Sequence, residues 1–254
     1  MTFLFRSLST FRPFRMGMLL AISLPVFAQT TVSLNVDYAE GKYGDVDKSS
    51  TWTMPLIIKH QVGDFAIKLN MPYVRATGTA VAGGDRFSTS RQIQEGFGDV
   101  VLSSTYGVVT DLPSGFVVDV GAKAKFATAD RANDLITTGK NDYSVWLDTL
   151  LPIGGFNAQV ALGWTKRGDP DGINYRNPWF SALGLSYKIS ERMNIGAFYD
   201  YRQKVTAGGD PVSEGMIFAE HKFGDGYRLQ AYLVRGFSDA SPDLGVGATF
   251  SIRF

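Results

Sequence analysis

The chain has 254 residues, with 25 basic and 24 acidic side chains, a formal net charge of +1 and no cysteine. This near-balance argues against a nucleic-acid partner, and the missing cysteines exclude a domain braced by disulfides. Mean hydropathy is −0.02, and beyond the first 28 residues no apolar run approaches the ~18–20 residues of a membrane-spanning helix.

Residues 1–28 read as a secretory signal. Arg6, Arg12 and Arg15 form a positive segment free of acids. Residues 16–27 are a short apolar stretch interrupted by Gly17, Ser23 and Pro25, and Val26-Phe27-Ala28 offers a cleavage site before Gln29. The stretch is too short to cross a bilayer as a helix. Removing it leaves one domain, residues 29–254, with 22 basic against 24 acidic residues and a net charge of −2.

Alternation with a period of two dominates the remainder and predicts strands. In residues 31–38, Val32, Leu34, Val36 and Tyr38 share one face, and Ser33, Asn35 and Asp37 the other. Residues 51–60 follow, with Trp52, Met54, Leu56 and Ile58 outward. After the tight turn Gly63-Asp64, residues 65–73 return with Phe65, Ile67, Leu69, Met71 and Tyr73 outward. Residues 77–94 are polar and predict a long loop. Val100, Leu102, Tyr106 and Val108 then alternate with Asp99, Ser103, Thr105 and Gly107. Residues 116–126 alternate Phe116, Val118, Val120, Ala122, Ala124 and Phe126 with Asp119, Lys123 and Lys125.

Residues 129–141 form a polar loop. Strands over 143–153 and 156–164 flank Gly154-Gly155, a hairpin signal. Residues 167–177 are the next polar loop. Strands over 179–189 and 195–201 surround a turn at Ser190-Glu191-Arg192, and strands over 216–223 and 227–234 surround Gly224-Asp225-Gly226. The last strand carries Val246, Ala248, Phe250, Ile252 and Phe254 on one face, with Gly245, Gly247, Thr249, Ser251 and Arg253 between them.

These are about twelve strands of the length a tilted membrane strand needs. Connections near Gly63, Asp111, Gly154, Glu191 and Asp225 are short. Those near Lys42, Gly78, Asp130, Gly168, Gly208 and Ser241 are mostly longer and more polar. Short and long alternate, which predicts an all-β, up-and-down antiparallel transmembrane barrel with short periplasmic turns and longer external loops. Trp52, Tyr73, Phe126, Tyr143, Trp164, Trp179, Tyr187, Tyr201 and Phe254 fall near strand ends, where aromatic girdles form. A soluble barrel or sandwich would also alternate, with those rings filling its core.

The polar rows would line the lumen with both signs of charge. Lys59, Lys68, Lys123, Lys125, Lys188, Arg202, Arg228 and Arg253 are basic, and Asp37, Asp99, Asp119, Asp148, Asp200 and Glu220 are acidic. Facing hydrocarbon, each would cost about 2–4 kcal/mol near the midplane. Inside, they would pair or stay hydrated, and mutual bracing is the plainest role for any one of them.

Catalytic signals are thin. His60 and His221 are the only histidines, and Glu220 beside His221 would point to the opposite face. No nucleophile-elbow or zinc-helix motif is present, and no cofactor is implied. Asp169-Pro170-Asp171-Gly172 lacks the distal glutamate of a calcium loop and reads as a turn.

Two stretches carry a resemblance. The closing strand resembles those on which bacterial outer-membrane barrels end, where the barrel-assembly machinery reads the final aromatic residue, here Phe254. Glu95-Gly96-Phe97-Gly98-Asp99-Val100-Val101-Leu102 with Tyr106, Lys125-Phe126-Ala127-Thr128-Ala129-Asp130, Gly139-Lys140-Asn141-Asp142-Tyr143, and Gly163-Trp164 before Gly168-Asp169 resemble a family of outer-membrane proteins named for the meta-pathway of phenol degradation. Met71-Pro72-Tyr73 fits the same pattern. The resemblance implies an outer-membrane barrel and passage of aromatic or other apolar compounds, with lipid and a small-molecule solute as partners and no catalytic residues. A packed barrel acting through its loops and a lipid-modifying enzyme are the alternatives.

Overall fold

The computed structural model describes residues 28–80, 87–110 and 112–254. The segment expected to be a signal, apart from Ala28, residues 81–86 of the polar stretch and Asp111 of a short turn lie outside them. Among the described residues there are thirteen strands: β1 (Ala28–Gly41), β2 (Ser49–Val62), β3 (Phe65–Ala80), β4 (Phe87–Phe97), β5 (Val100–Val109), β6 (Val117–Phe126), β7 (Asp142–Ile153), β8 (Phe156–Lys166), β9 (Trp179–Lys188), β10 (Met193–Arg202), β11 (Val212–Phe223), β12 (Tyr227–Gly236) and β13 (Leu244–Arg253). All pair antiparallel in one sheet, and β1 joins both β2 and β13, which closes the barrel.

The wall holds twelve strands because β4 and β5 act as one. Residues 65–70 of β3 pair with β5, and residues 73–80 pair with β4. The break falls at Gly98-Asp99, where the Gly98 amide still donates to the Pro72 carbonyl at 2.8 Å. An even number of wall strands puts the start of β1 and the end of β13 at one rim, where Thr31 faces Arg253.

The polar stretch 77–94 is not the loop its composition predicts. Residues 77–80 extend β3, and 87–94 belong to β4. The physical reason is position: this hairpin stands beyond the membrane belt, so its strands need no apolar row to pair. The other long connections, 42–48, 127–141, 167–178, 203–211 and 237–243, lie at the same rim as this hairpin, and the short turns lie at the other. At the short turns Gly63 and Gly154 take φ of 57° and 62°. Positive φ at the first central residue matches the twist of a two-residue hairpin.

The outward row is apolar and exposed along the middle of the barrel. Leu147, Leu162 and Leu183 are each more than half exposed, at 51%, 51% and 54%. So many bare aliphatic side chains would be untenable on a soluble surface. In lipid they are the favourable face of a transmembrane barrel. Trp52, Phe126, Tyr143, Trp179 and Tyr201 are exposed toward the loop-bearing rim. Phe65, Phe156, Tyr187, Phe223 and Tyr227 are exposed toward the short-turn rim. These two girdles bracket the aliphatic belt.

Candidate functional site in the barrel lumen

The inward row begins with residues the alternation places there. Ser33, Asn70, Ser103, Asp119, Ser144, Thr165, Ser186, Asp200 and Gln230 are all buried from the outer surface and polar. Each sits one residue from a lipid-facing neighbour, so backbone pleating alone directs it inward.

The charged residues divide by depth. At the short-turn rim, Lys188 bonds Glu191 at 2.9 Å, and that hydrogen bond is the first cause holding the Glu191 carboxyl below its usual range. Arg253 donates to the Asp225 carbonyl at 2.8 Å. These two basic residues tie down turns at the rim. Just inside, Arg228 meets Glu220 at 3.4 Å. Higher up, the Tyr232 hydroxyl donates to the Asp37 carboxylate and Asn35 donates to Tyr232 at 3.0 Å. Asp119 and Asp148 stand opposite each other across β6 and β7, and Gln159 Nε2 donates to both oxygens of Asp148 at 3.0 Å. Asp200 stands opposite Glu214 across β10 and β11, with Arg202 two residues above it.

At the outer mouth the charges are knotted together. Asp99 accepts from Lys125 Nζ at 3.1 Å, Thr137 Oγ1 at 2.7 Å and the Ala129 amide at 3.2 Å. Lys125 also reaches Asp142 at 3.3 Å, and Arg167 reaches the same carboxylate at 3.4 Å. The loop 127–141 is thereby held over the inner face of the β3–β4 hairpin. Leu135 and Ile136 are almost fully buried there, against Ala76 and Val74 respectively. Gln94 clasps the loop from β4, accepting from the Leu135 amide at 2.9 Å and donating to Asp134 at 2.6 Å.

Lys59, Lys68 and Lys123 form a separate basic patch. Lys59 pairs with Lys68 across β2 and β3. Lys68 pairs with Ser103, and Ser103 with Lys123, so only a small hydroxyl separates the last two. All fourteen predicted lumen residues thus lie on the inner face or its rims.

The inward aromatics were not legible in the sequence. Trp146, Phe180, Phe198, Phe218 and Tyr232 all point into the lumen, and each lies directly across from a glycine. The pairs are Trp146 with Gly121, Phe180 with Gly163, Phe198 with Gly184, Phe218 with Gly196, and Tyr232 with Gly247. A Cβ built on any of these glycines would come within 2.0–2.4 Å of the ring. The rings therefore lie flat on the wall over their glycines. Phe198 and Phe218 also contact each other, with centroids 5.8 Å apart. The signal in the sequence is a glycine at inward parity opposite an inward ring, but it appears only once the register between strands is known.

This arrangement makes a testable demand. A side chain at Gly196 must displace the Phe218 ring 2.4 Å away or the Leu185 carbonyl 2.8 Å away. Gly196→Val is expected to destabilise the barrel by about 1–3 kcal/mol, the usual cost of overpacking. Chemical denaturation in lipid vesicles measures it, and Phe218→Ala in the same chain should recover part of the loss. An unchanged midpoint for Gly196→Val alone would refute the packing described.

The histidines do not build a catalytic group. His221 is exposed outside the barrel against the Phe223 ring, on the face opposite Glu220. His60 Nδ1 pairs with Thr30 Oγ1 at 2.9 Å near the short-turn rim, and no carboxylate bonds to it among the described residues. Asp169 accepts from the Tyr175 amide at 2.8 Å, so the Asp-Pro-Asp-Gly segment is a turn. Phe254 is 74% exposed, and its amide donates to the Thr30 carbonyl at 2.8 Å, which fastens the chain end to β1.

A closed antiparallel wall of twelve strands, an aliphatic belt between aromatic girdles and a polar lumen together define a transmembrane β-barrel of the outer-membrane type. Among solved structures the chain is similar to an outer membrane channel from Pseudomonas putida F1, with a TM-score of 0.74, 13% identity and coverage of 91% of this chain and 97% of that one. It is also similar to the KdgM porin, with a TM-score of 0.56, 10% identity and coverage of 88% and 99%. The NanC porin gives a TM-score of 0.57, 9% identity and coverage of 87% and 98%. At these identities the likeness is one of fold. No family model matches the sequence, and no curated protein matches it.

Proposed function

We propose that this protein is an outer-membrane channel through which small solutes, hydrophobic or aromatic ones among them, pass by diffusion. The observation that carries the reading is the lumen itself. Lys123 faces inward at mid-depth and its side chain is exposed there, so the lumen beside it has room for water or a solute. Facing hydrocarbon, that ammonium would cost about 2–4 kcal/mol. The inner face combines such charges with flat-lying rings, which suits solutes that carry both apolar and polar parts. Three fold neighbours that are themselves channels or porins support the reading, as does the resemblance of residues 95–106 and 125–143 to the family named for phenol degradation. Diffusion needs no energy source. The basic and apolar residues of 1–28 would serve export to the outer membrane.

Purified protein in proteoliposomes is expected to swell them in small sugars and to give discrete conductance steps in planar bilayers. A folded barrel that is electrically silent and impermeable to every small solute would overturn the reading. That result would favour a barrel with a packed lumen acting through its loops, for which the buried Leu135–Ile136 segment is the supporting feature.

A further inference from the structure

The basic patch and the aromatic row occupy opposite walls of one lumen. In the order of the wall strands, β2, β3 and β6 carry Lys59, Lys68 and Lys123. Strands β10, β11 and β12 carry Phe198, Phe218 and Tyr232, half a circuit away. Depth agrees as well. The register shifts by roughly one residue per strand, as the tilt of a closed barrel requires. Following it around the wall sets Phe218 level with Lys68, with Phe198 and Tyr232 about one residue higher.

We infer that this belt is a selective site for small aromatic anions, such as aromatic carboxylates, with the ring taken up by Phe198, Phe218 and Tyr232 and the anionic group by Lys59, Lys68 and Lys123. The inference rests on the channel reading and names its substrate class.

Three observations argue for it. First, like charges directly opposite on neighbouring strands destabilise a sheet, and Lys59 opposite Lys68 is such a pair. Neither the Lys68 nor the Lys123 ammonium bonds a carboxylate among the described residues; at Lys68 it is the backbone carbonyl, not the side chain, that accepts from Ser103 Oγ, at 3.5 Å. An anion at this patch relieves the repulsion. Second, the lumen acids stand apart from the three ammonium groups: Asp200 and Glu214 lie toward the loop-bearing rim from Phe198 and Phe218, beside Arg202. Asp37 takes the Tyr232 hydroxyl, and Asp148 takes Gln159. Asp119 and Asp148 stand toward the short-turn rim from Lys123, and they steer an anionic group to the Lys59–Lys68 side. Third, the dimensions fit. Twelve strands about 4.8 Å apart and tilted ~40° enclose a backbone diameter of about 24 Å. Side chains from two facing walls fill roughly half of it, and the remainder admits one small ring. Rings that lie flat on their glycines offer faces for offset stacking along that passage.

Reversal potentials in planar bilayers test this with the full mature protein. The probes are the sodium salts of benzoate and acetate and the chloride of benzyltrimethylammonium. Benzoate is expected to permeate several-fold better than acetate and than the aromatic cation. Lys68→Gln with Lys123→Gln should reduce the preference for benzoate over the aromatic cation several-fold while conductance persists. Phe198→Leu with Phe218→Leu should reduce the preference for benzoate over acetate and leave the preference for anions intact. Folding of each variant is checked by its heat-dependent gel mobility. If the wild type passes benzoate and the aromatic cation alike, or if the lysine variant keeps the wild-type ratio, the inference is overturned while the channel reading stands. A folded wild type that conducts nothing overturns both.

Discussion

Replacing Asp99 by alanine is expected to destabilise the barrel by about 3 kcal/mol and to widen its outer mouth. The carboxylate is buried, 7% exposed, and three donors converge on it: Lys125, Thr137 and the Ala129 amide. Removing one partner of a buried charged pair typically costs ~3–5 kcal/mol, because the remaining charge and donors lose their compensation. Here Lys125 keeps Asp142 at 3.3 Å, which places the effect at the lower end. Two of the three donors belong to the loop 127–141, so that segment loses its anchor at both of its contact points on Asp99. Held then mainly by Gln94 and the buried Leu135–Ile136 pair, the loop narrows the mouth less, and single-channel conductance should rise. Asp99→Asn keeps an acceptor for Thr137 or the Ala129 amide and loses the charge, and its stability and conductance should fall between those of the wild type and Asp99→Ala. A variant with lower stability and unchanged conductance would show that the loop does not constrict the passage.

The barrel was legible because lipid on one side and water on the other force a period of two. Residues 31–38, 116–126 and 245–254 alternate cleanly, and all of them except Phe116 and Phe254 lie in strands facing as the alternation requires. Where lipid is absent the signal disappears. Residues 77–80 and 87–94 pair outside the membrane belt, where no apolar row is needed, and they read as loop. The fourteen charged candidates for the lumen follow from the same alternation as the strands, since each would be too costly in hydrocarbon. Their grouping was not. Lys59, Lys68 and Lys123 are up to 64 residues apart (123 − 59), and only the register of three strand pairs makes them one patch. Trp146, Phe180, Phe198, Phe218 and Tyr232 were hidden by a stronger prior, since aromatic residues in such a barrel are expected in the outer girdles. The glycine opposite each ring lies one strand away in space and between 14 and 25 residues away in sequence for these pairs, as with Phe198 and Gly184 or Trp146 and Gly121. Pairing of distant strands is information that a linear pattern does not carry.

The orientation of the wall predicts opposite outcomes for two neighbouring arginine substitutions. Leu147 lies near the middle of β7, points outward and is 51% exposed; its partner Leu162 is equally bare. Leu147→Arg puts a guanidinium into the lipid belt, between Val120 and Leu162 on the neighbouring strands and with no acid on that face at this depth among the described residues. The expected loss is about 2–4 kcal/mol, the cost of a cation near the bilayer midplane. Gln159 is on the next strand and points inward, 3.0 Å from both oxygens of Asp148. Gln159→Arg replaces a neutral donor with a charged one that the same carboxylate can accept, and a lumen position tolerates charge, so stability should change by less than about 1 kcal/mol. Denaturant titration of both variants in vesicles of one zwitterionic lipid measures the contrast. The difference should shrink in thinner bilayers, where the arginine at position 147 lies closer to an interface. Equal destabilisation of the two variants would overturn the assignment of faces on which the lumen, the mouth and the basic patch all depend.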